Sequence, residues 1–406
     1  MIASFRDRFA AVIGNLLEHY DKLLFGLIAP FIAPLFFEET DPVVALLCTY
    51  GMLPLGFLMR PLGAIYFGWV GERFGVRRAL CISLWGMAFV TMGMGCIPVY
   101  KDIGILAPIC LALGRMLQGF FAAGETSGGA IFILERTSPE RRSLVSGLYN
   151  VSSIGGSLLA SGAVMILGYL GDVETHWRIL FWLGGTSAIL GVVLRLTMQK
   201  QERTPIPKRH FKELFSNNFT PLLVVILVAG CAHMTYAFVF PFMNGYVPLL
   251  TGISRAKMAQ MNTMLLLASV FCLPFFGYIA TKIKKETMMS IGVVGFALSS
   301  ILLLSNVQEV FWTRWLLLFS ETAIVAPYYA WAFERTPPAY RYWILPLGSA
   351  LGSELIGMPT PAICLWLYKV IGWNMAPALY VIVVALGALC GLHFLTSKKR
   401  LQDAVV

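Results

Sequence analysis

The stretch Gly68-Trp69-Val70-Gly71-Glu72-Arg73-Phe74-Gly75-Val76-Arg77-Arg78 sets four charges and three glycines between two long apolar runs, near residues 43–68 and 79–98. Each run can cross the ~30 Å hydrocarbon core of a bilayer as a helix, which takes about 20 apolar residues. A charged connection this short between two such runs reads as the turn of a membrane-spanning hairpin. The rest of the chain extends the pattern. Of its 406 residues 58% are hydrophobic and 13% charged, and the mean hydropathy is +0.74. Soluble domains carry about 25% charged residues, so lipid must cover much of this surface. Closed β-barrels also span membranes, but with strands of roughly ten residues that alternate in polarity. Unbroken apolar runs such as residues 222–230 and 381–392 fit helices, whose backbone groups are satisfied within the segment.

Apolar windows of about 20 residues fall near 10–37, 43–68, 79–98, 104–134, 143–170 and 177–197, and again near 221–250, 258–281, 287–305, 309–333, 342–368 and 373–396. This predicts an all-α integral membrane protein with twelve transmembrane helices. A six-helix N-terminal half covers residues 1–197, a connecting segment 198–220, and a six-helix C-terminal half 221–406. Arg6 and Arg8 precede a segment interrupted by Glu18, Asp21 and Lys22, which reads as a first span rather than a signal core.

The charge pattern sets the expected orientation. Of 31 Lys and Arg residues, 21 lie in seven short segments: Arg6 and Arg8; Arg73, Arg77 and Arg78; Arg136, Arg141 and Arg142; Lys200, Arg203, Lys208, Arg209 and Lys212; Lys282, Lys284 and Lys285; Arg335 and Arg341; Lys398, Lys399 and Arg400. The alternating connections hold only Lys101, Arg178, Arg255, Lys257 and Lys369. Positive connections face the cytoplasm, so both termini are expected there. The net charge of +10 then follows from topology, and no nucleic-acid partner is expected. The eight cysteines show no CxxC spacing and read as packing residues rather than a disulfide or metal framework.

An internal repeat supports the division. A shift of 199 residues aligns Arg115 with Arg314, Glu135-Arg136-Thr137 with Glu334-Arg335-Thr336, Pro139 with Pro338, and Arg142 with Arg341. Charged residues are scarce here, so matches at this spacing point to a duplicated fourth helix and following loop. Two parallel halves related about the membrane normal are a known transporter arrangement, with the pathway expected between them.

The residue 68–78 stretch resembles the G-x-x-x-[DE]-R-x-G-x-[RK]-[RK] loop of the major facilitator superfamily. Gly14-Asn15-Leu16-Leu17-Glu18-His19-Tyr20-Asp21, Gly56-Phe57-Leu58-Met59-Arg60-Pro61-Leu62-Gly63 and Arg115-Met116-Leu117-Gln118-Gly119 with Gly124-Glu125 resemble segments of its metabolite:H⁺ symporter family. So do Trp177-Arg178, Phe181, Arg195 and Glu202-Arg203-Thr204-Pro205. The likeness covers residues 14–205. It implies proton-coupled import of an organic acid, osmolyte or zwitterionic metabolite by alternating access, across a bacterial inner (plasma) membrane. Three departures stand out: His19 where the family usually has Trp, Lys22 where it has an aromatic, and a second-half counterpart of the loop, Gly277-Tyr278-Ile279-Ala280-Thr281-Lys282, that lacks the acid.

A charge at the centre of a spanning helix costs about 2.5–3.5 kcal/mol on insertion scales, so each such residue is a functional candidate. Glu18 and Asp21 lie one turn apart on one face, as do Glu18 and Lys22. The two carboxylates suit proton coupling, with Glu125 as a third acid, while pairing of Glu18 with Lys22 is the structural alternative. Arg115 and Gln118 are expected to bind an anionic group, since guanidinium offers a fork of donors matched to carboxylate. Lys22, His233, Tyr236, Arg314, Glu321 and Glu354 are the remaining solute candidates. Arg314 and Glu321, seven residues apart, share a face and offer a salt bridge as the alternative. Arg60, Gly68, Gly71, Glu72, Arg73, Gly75, Arg77, Arg78, Glu135 and Arg136 are expected to latch one gated state. No phosphate-binding loop, metal-ligand spacing or nucleophile elbow occurs, so no enzyme, no cofactor and no ATP drive are expected. The expected partners are a small solute, protons and lipid, with the protein a monomer. An exporter on the same fold is the nearest rival reading, and a solute sensor a more distant one.

Overall fold

The computed structural model describes residues 5–37, 52–170, 173–196, 219–253, 255–306 and 310–403. These residues form helices and short connections, with no strand among them. The helices are α1 (Phe5–Phe36), α2 (Leu53–Phe74), α3 (Val76–Gly95), α4 (Leu106–Glu135), α5 (Arg142–Leu170), α6 (Val173–Leu196), α7 (Phe219–Ala237), α8 (Met243–Thr251), α9 (Arg255–Lys282), α10 (Lys285–Ser305), α11 (Val310–Arg335), α12 (Arg341–Gly352), α13 (Thr360–Ile371) and α14 (Ala376–Asp403), besides a single turn at Tyr100–Ile103. A π-helical turn at Phe238–Phe242 carries α7 into α8, and another at Ser353–Gly357 lies between α12 and α13. Each of these pairs runs as one bent rod, so the described helices make twelve rods. Nine of them pass as candidate membrane spans on length and hydropathy over the described residues.

The chain packs as two compact units, Met1–Arg136 with Ser152–Ile206, and Thr137–Val151 with Pro207–Val406. Most of the connecting segment expected at residues 198–220 lies outside the described residues. In the first unit α1 contributes Leu24, Phe25, Ile28, Ile32 and Phe36 to a core shared with Val90, Met94, Leu111, Trp177 and Phe181. From Phe25 onward the α1 positions recur every three or four residues, the spacing of one helix face. Phe36 meets Trp177 edge to face, with ring centroids 5.5 Å apart. Arg178, beside Trp177 in the same motif, stacks on that ring at 4.5 Å and donates to the Ile97 carbonyl at 3.0 Å. The Trp-Arg pair is thus a packing element. In the second unit α7 and α11 are the most enclosed rods, with 72% and 78% of a spanning stretch buried, and they carry His233, Tyr236, Arg314 and Glu321.

The charged turn between the second and third helices is shorter than its sequence suggested. Helix α2 continues through Phe74 and α3 begins at Val76, leaving Gly75 alone outside regular helix at φ +91°. Backbone there suits only a residue without Cβ. Gly68, Gly71, Glu72 and Arg73 are therefore residues of α2's final turns, and Arg77 and Arg78 belong to the first turn of α3.

Candidate functional site: a buried polar cluster in the first unit

Helices α2 and α4 cross at two glycines. A Cβ on Gly56 would lie 2.8 Å from the Arg115 carbonyl oxygen, and a Cβ on Gly119 would overlap the Gly56 backbone. Close approach of this kind is what small residues permit in spanning bundles. It sets Arg60, one turn beyond Gly56, and Arg115, one turn before Gly119, around one small cavity of about 20 Å³. Asp21, Met87, Gln118 and Ala122 complete the lining. Helix α1 is pinned beside it. Asn15 Nδ2 donates to Ser152 Oγ at 2.7 Å and Ser153 Oγ at 2.8 Å, and Gly156 packs on the Leu16 carbonyl.

Within this frame the charges are placed by specific bonds. Arg60 Nη2 lies 2.5 Å from Glu18 Oε1. Arg115 Nη1 donates to Gln118 Oε1 at 2.7 Å, Gln118 Nε2 donates to Thr91 Oγ1 at 2.9 Å, and Thr91 Oγ1 donates to Asp21 Oδ2 at 3.0 Å. The Arg115 guanidinium also sits 4.4 Å over the Phe25 ring, a contact worth about 2 kcal/mol where water is excluded. Glu18, Asp21, Arg60, Thr91, Arg115 and Gln118 are all between 0 and 7% exposed. The site thus holds two carboxylates and two guanidinium groups among four helices, α1 to α4.

This arrangement departs from the sequence reading at Arg60. Glu18 takes its cation from α2 through Arg60, and Arg60, expected in the latch, instead belongs to the central cluster. The side chains of Lys22, Glu125 and Arg195, and residues 202–205, lie outside the described residues. The residue missed altogether is Thr91. A threonine in an apolar helix carries no signal in sequence; only the neighbours supplied by α1 and α4 give it a role.

In the second unit the expected residues separate. Arg314 is fully buried and bonds the Val239 carbonyl at 2.9 Å and Asn262 Oδ1. The reason lies in α7's π-helical turn, which contains Pro241. There the Met243 N–H bonds the Phe238 and Phe240 carbonyls, so Val239, its partner in a regular helix, is left for Arg314. The salt bridge with Glu321 is therefore not the bond Arg314 makes. Seven residues of helix separate the two by about 10 Å of rise, and Glu321 lies instead within electrostatic reach of Tyr236 and Cys272. His233 Nδ1 is 2.8 Å from the Ala229 carbonyl, one turn back, and His233 packs on Gly357. Glu354 occupies the π-helical turn after α12. In that turn the Ile356 carbonyl accepts from Tyr380 Oη at 2.5 Å and Thr360 Oγ1 at 3.2 Å.

The charged ends of the helices form a further group. Arg73 lies 5.6 Å from the Trp69 ring, Arg77 Nη2 donates to the Leu196 carbonyl at 2.5 Å, and Arg136 bonds the Phe132 carbonyl at 3.0 Å while stacking on its ring. Glu72 and Glu135 are partly buried, and Arg78 is exposed. In the second unit Glu334 meets Lys285 at 2.9 Å and Arg142 at 3.5 Å, and Arg335 holds Glu286 through two nitrogens. Glu334, Lys285, Arg335 and Glu286 line a cavity of about 550 Å³ with Glu140 and Lys284. Lys282 stands 5.6 Å from the Tyr278 ring, repeating the Arg73–Trp69 contact although the acid of that turn is missing.

Comparison with known proteins follows the same lines. The family model of the Major Facilitator Superfamily matches residues 22–251 and 244–405. The proline/betaine transporter of Salmonella typhimurium is 28% identical over a 424-residue alignment, covering 96% of this chain and 83% of the relative. The glycine betaine/proline/ectoine/pipecolic acid transporter OusA of Dickeya dadantii is 28% identical, with 97% and 84% covered. A putative proline/betaine transporter of Staphylococcus haemolyticus is also 28% identical, with 98% and 89% covered. Among solved structures, the proton:xylose symporter XylE bound to 6-bromo-6-deoxy-D-glucose superposes with a TM-score of 0.74 at 16% identity, covering 96% of this chain and 95% of that one. The human organic anion transporter MFSD10 gives 0.72 at 13%, with 95% and 99% covered. These two share the fold. With nine of the described rods apolar and long enough to span a membrane, charges buried among them and a family model spanning nearly the whole chain, this protein belongs to the Major Facilitator Superfamily and is a multi-pass membrane transporter, not an enzyme.

Proposed function

We propose that this transporter imports a small zwitterionic or anionic solute of the betaine, proline or organic-acid class together with protons, by alternating access of two six-helix halves. The observation that carries the reading is the cluster of Asp21, Thr91, Gln118 and Arg115, closed to water and placed at the middle of α1. A buried carboxylate linked through hydrogen bonds to a buried guanidinium offers one group that gains and loses a proton and one that binds a carboxylate. The names of the relatives support the solute class, since betaines and proline carry a carboxylate beside a cationic nitrogen. On this reading Asp21 carries the proton, with Glu18, held by Arg60, setting the field around it. Arg115 with Gln118 receives the solute carboxylate. His233, Tyr236, Glu321 and Glu354 remain the second-half candidates for the solute. Glu72, Arg73, Arg77, Arg78, Glu135 and Arg136, with the Glu334–Lys285 and Arg335–Glu286 pairs, stabilise one gated state. The protein works in a bacterial inner membrane with both termini in the cytoplasm.

The test is uptake of radiolabelled glycine betaine, proline and a panel of organic acids into proteoliposomes under an imposed inward proton gradient. Gradient-driven accumulation of at least one solute is expected, abolished by Asp21→Asn without loss of the inserted protein. Full accumulation by Asp21→Asn would remove Asp21 from the coupling role. Accumulation only under an outward-directed solute protocol would make the protein an exporter.

A further inference from the structure

The hydrogen bonds around Asp21 have a direction. A guanidinium donates five N–H groups and accepts none. Arg115 Nη1 therefore fixes Gln118 Oε1 as the acceptor, 2.7 Å away, and leaves Gln118 Nε2 as the donor to Thr91 Oγ1 at 2.9 Å. A hydroxyl has one proton to give. With a lone pair of Thr91 taken by Gln118, that proton goes to Asp21 Oδ2, 3.0 Å away. Every donor in the chain points from Arg115 toward Asp21, and Oδ2 is held as an acceptor. The other carboxylate oxygen differs. Asp21 Oδ1 has no hydrogen-bonding partner among the described residues and faces Gly184 of α6, where a Cβ would lie 2.6 Å from it. Among the described side chains, the charged and titratable groups facing Asp21 are Glu18 and Tyr20 on its own helix, Arg60 on α2 and Arg115 on α4. Helices α3 and α6 present Thr91 and Gly184.

We infer that Thr91, oriented by Gln118, is a positioning residue that reserves Asp21 Oδ2 as an acceptor and makes Oδ1, beside Gly184, the atom on which the transported proton loads. The inference rests on Asp21 as the proton carrier. In the loading step an O–H bond forms at Oδ1, the carboxylate loses its negative charge, and Oδ2 becomes the carbonyl oxygen while keeping the Thr91 bond. That bond weakens, because bonds to ionised acceptors are roughly twice as strong as neutral ones. The anion facing Arg115 disappears in the same step, which releases the guanidinium toward a solute carboxylate. Proton and solute are thereby ordered by one three-bond relay across α1, α3 and α4.

The test is infrared spectroscopy of the purified full-length protein in lipid, titrated through the region where protonated carboxyl groups absorb. The Asp21 band is the one missing in Asp21→Asn. In Thr91→Val, which keeps the side-chain shape and drops the hydroxyl, the band is expected at higher wavenumber, because its carbonyl has lost a hydrogen bond. Thr91→Ser is expected to restore the wild-type position, and Thr91→Ala replaces Thr91→Val if that variant fails to insert. An unshifted band in the variant lacking the hydroxyl overturns the inference and leaves Asp21 as the proton carrier. If no band is missing in Asp21→Asn, the proton-carrier reading falls, and this inference with it.

Discussion

Arg115 and Arg314 stand at matching positions of the 199-residue repeat, yet their surroundings give them different tasks. Arg115 ends a polar chain that leads through Gln118 and Thr91 to Asp21, and an ion pair, Glu18–Arg60, lies beside it. Arg314 is held by a backbone carbonyl released at a π-helical turn and by Asn262. The first arginine faces groups whose charge can change, and the second braces a bend. A duplicated cation is therefore not a duplicated function. What each guanidinium does depends on whether the helix opposite offers a carboxylate or an unpaired carbonyl.

The comparison is broken most severely by removing one member of the buried ion pair. Glu18→Gln leaves Arg60 uncompensated, and losing one partner of such a pair costs about 3–5 kcal/mol. A large fall in the melting temperature of the solubilised protein is expected, mostly reversed in Glu18→Gln/Arg60→Met. Glu321→Gln in the second unit, with no ion pair among the described residues to break, is expected to cost far less. Next come the two arginines. Arg314→Met strands the Val239 carbonyl and removes a bond from Asn262, worth about 1–3 kcal/mol, and lowers the melting temperature whatever solute is present. Arg115→Met is expected instead to cut uptake at least about tenfold, the equivalent of 1.4 kcal/mol, with the stabilisation by a bound solute lost. Equal losses of stability in the two variants would erase the distinction. Gly184→Ala pushes a methyl group against Asp21 Oδ1, and overpacking of this size costs about 1–3 kcal/mol. Proton-driven accumulation should fail in that variant while the protein still inserts. The smallest effect belongs to the partly exposed pairs. Glu286→Gln breaks the Arg335 contact for about 0.2–1 kcal/mol, so its melting temperature should barely move, and a change in transport rate would be the sign of a gating role.

Much of the fold was legible because lipid leaves a coarse signature. Long apolar runs, positive connections and glycine-rich turns all follow from the bilayer as solvent. The candidate residues on α1 and α4 were legible for a related reason: a charge is rare in such a helix, so Glu18, Asp21 and Arg115 announce themselves. Partners were not. Pairing of Glu18 within its own helix follows from spacing alone, whereas Arg60 reaches it because Gly56 and Gly119 let α2 and α4 touch backbone to backbone. Thr91 was invisible, since threonine is ordinary in an apolar helix. Pro241 was visible as a proline, but nothing local connects it to a guanidinium on α11. Arg142 and Arg341, matched by the repeat, both stack on the Phe333 ring, at 4.9 and 3.7 Å, a meeting no alignment of the repeat implies.

The amino-acid sequence by itself determined that this chain lives in a membrane, how its helices are cut, and which charges are carried to their centres. Those outcomes depend on transfer free energies and helix periodicity, which act residue by residue. Only the tertiary structure decided that Arg60 answers Glu18, that Thr91 and Gln118 join Asp21 to Arg115, and that Arg314 caps a bend instead of meeting Glu321. Hydrogen bonds require atoms within about 3 Å and ion pairs within about 4 Å, and residues far apart in the chain come that close only where helix crossings, here set by glycines and a π-helical turn, bring them together.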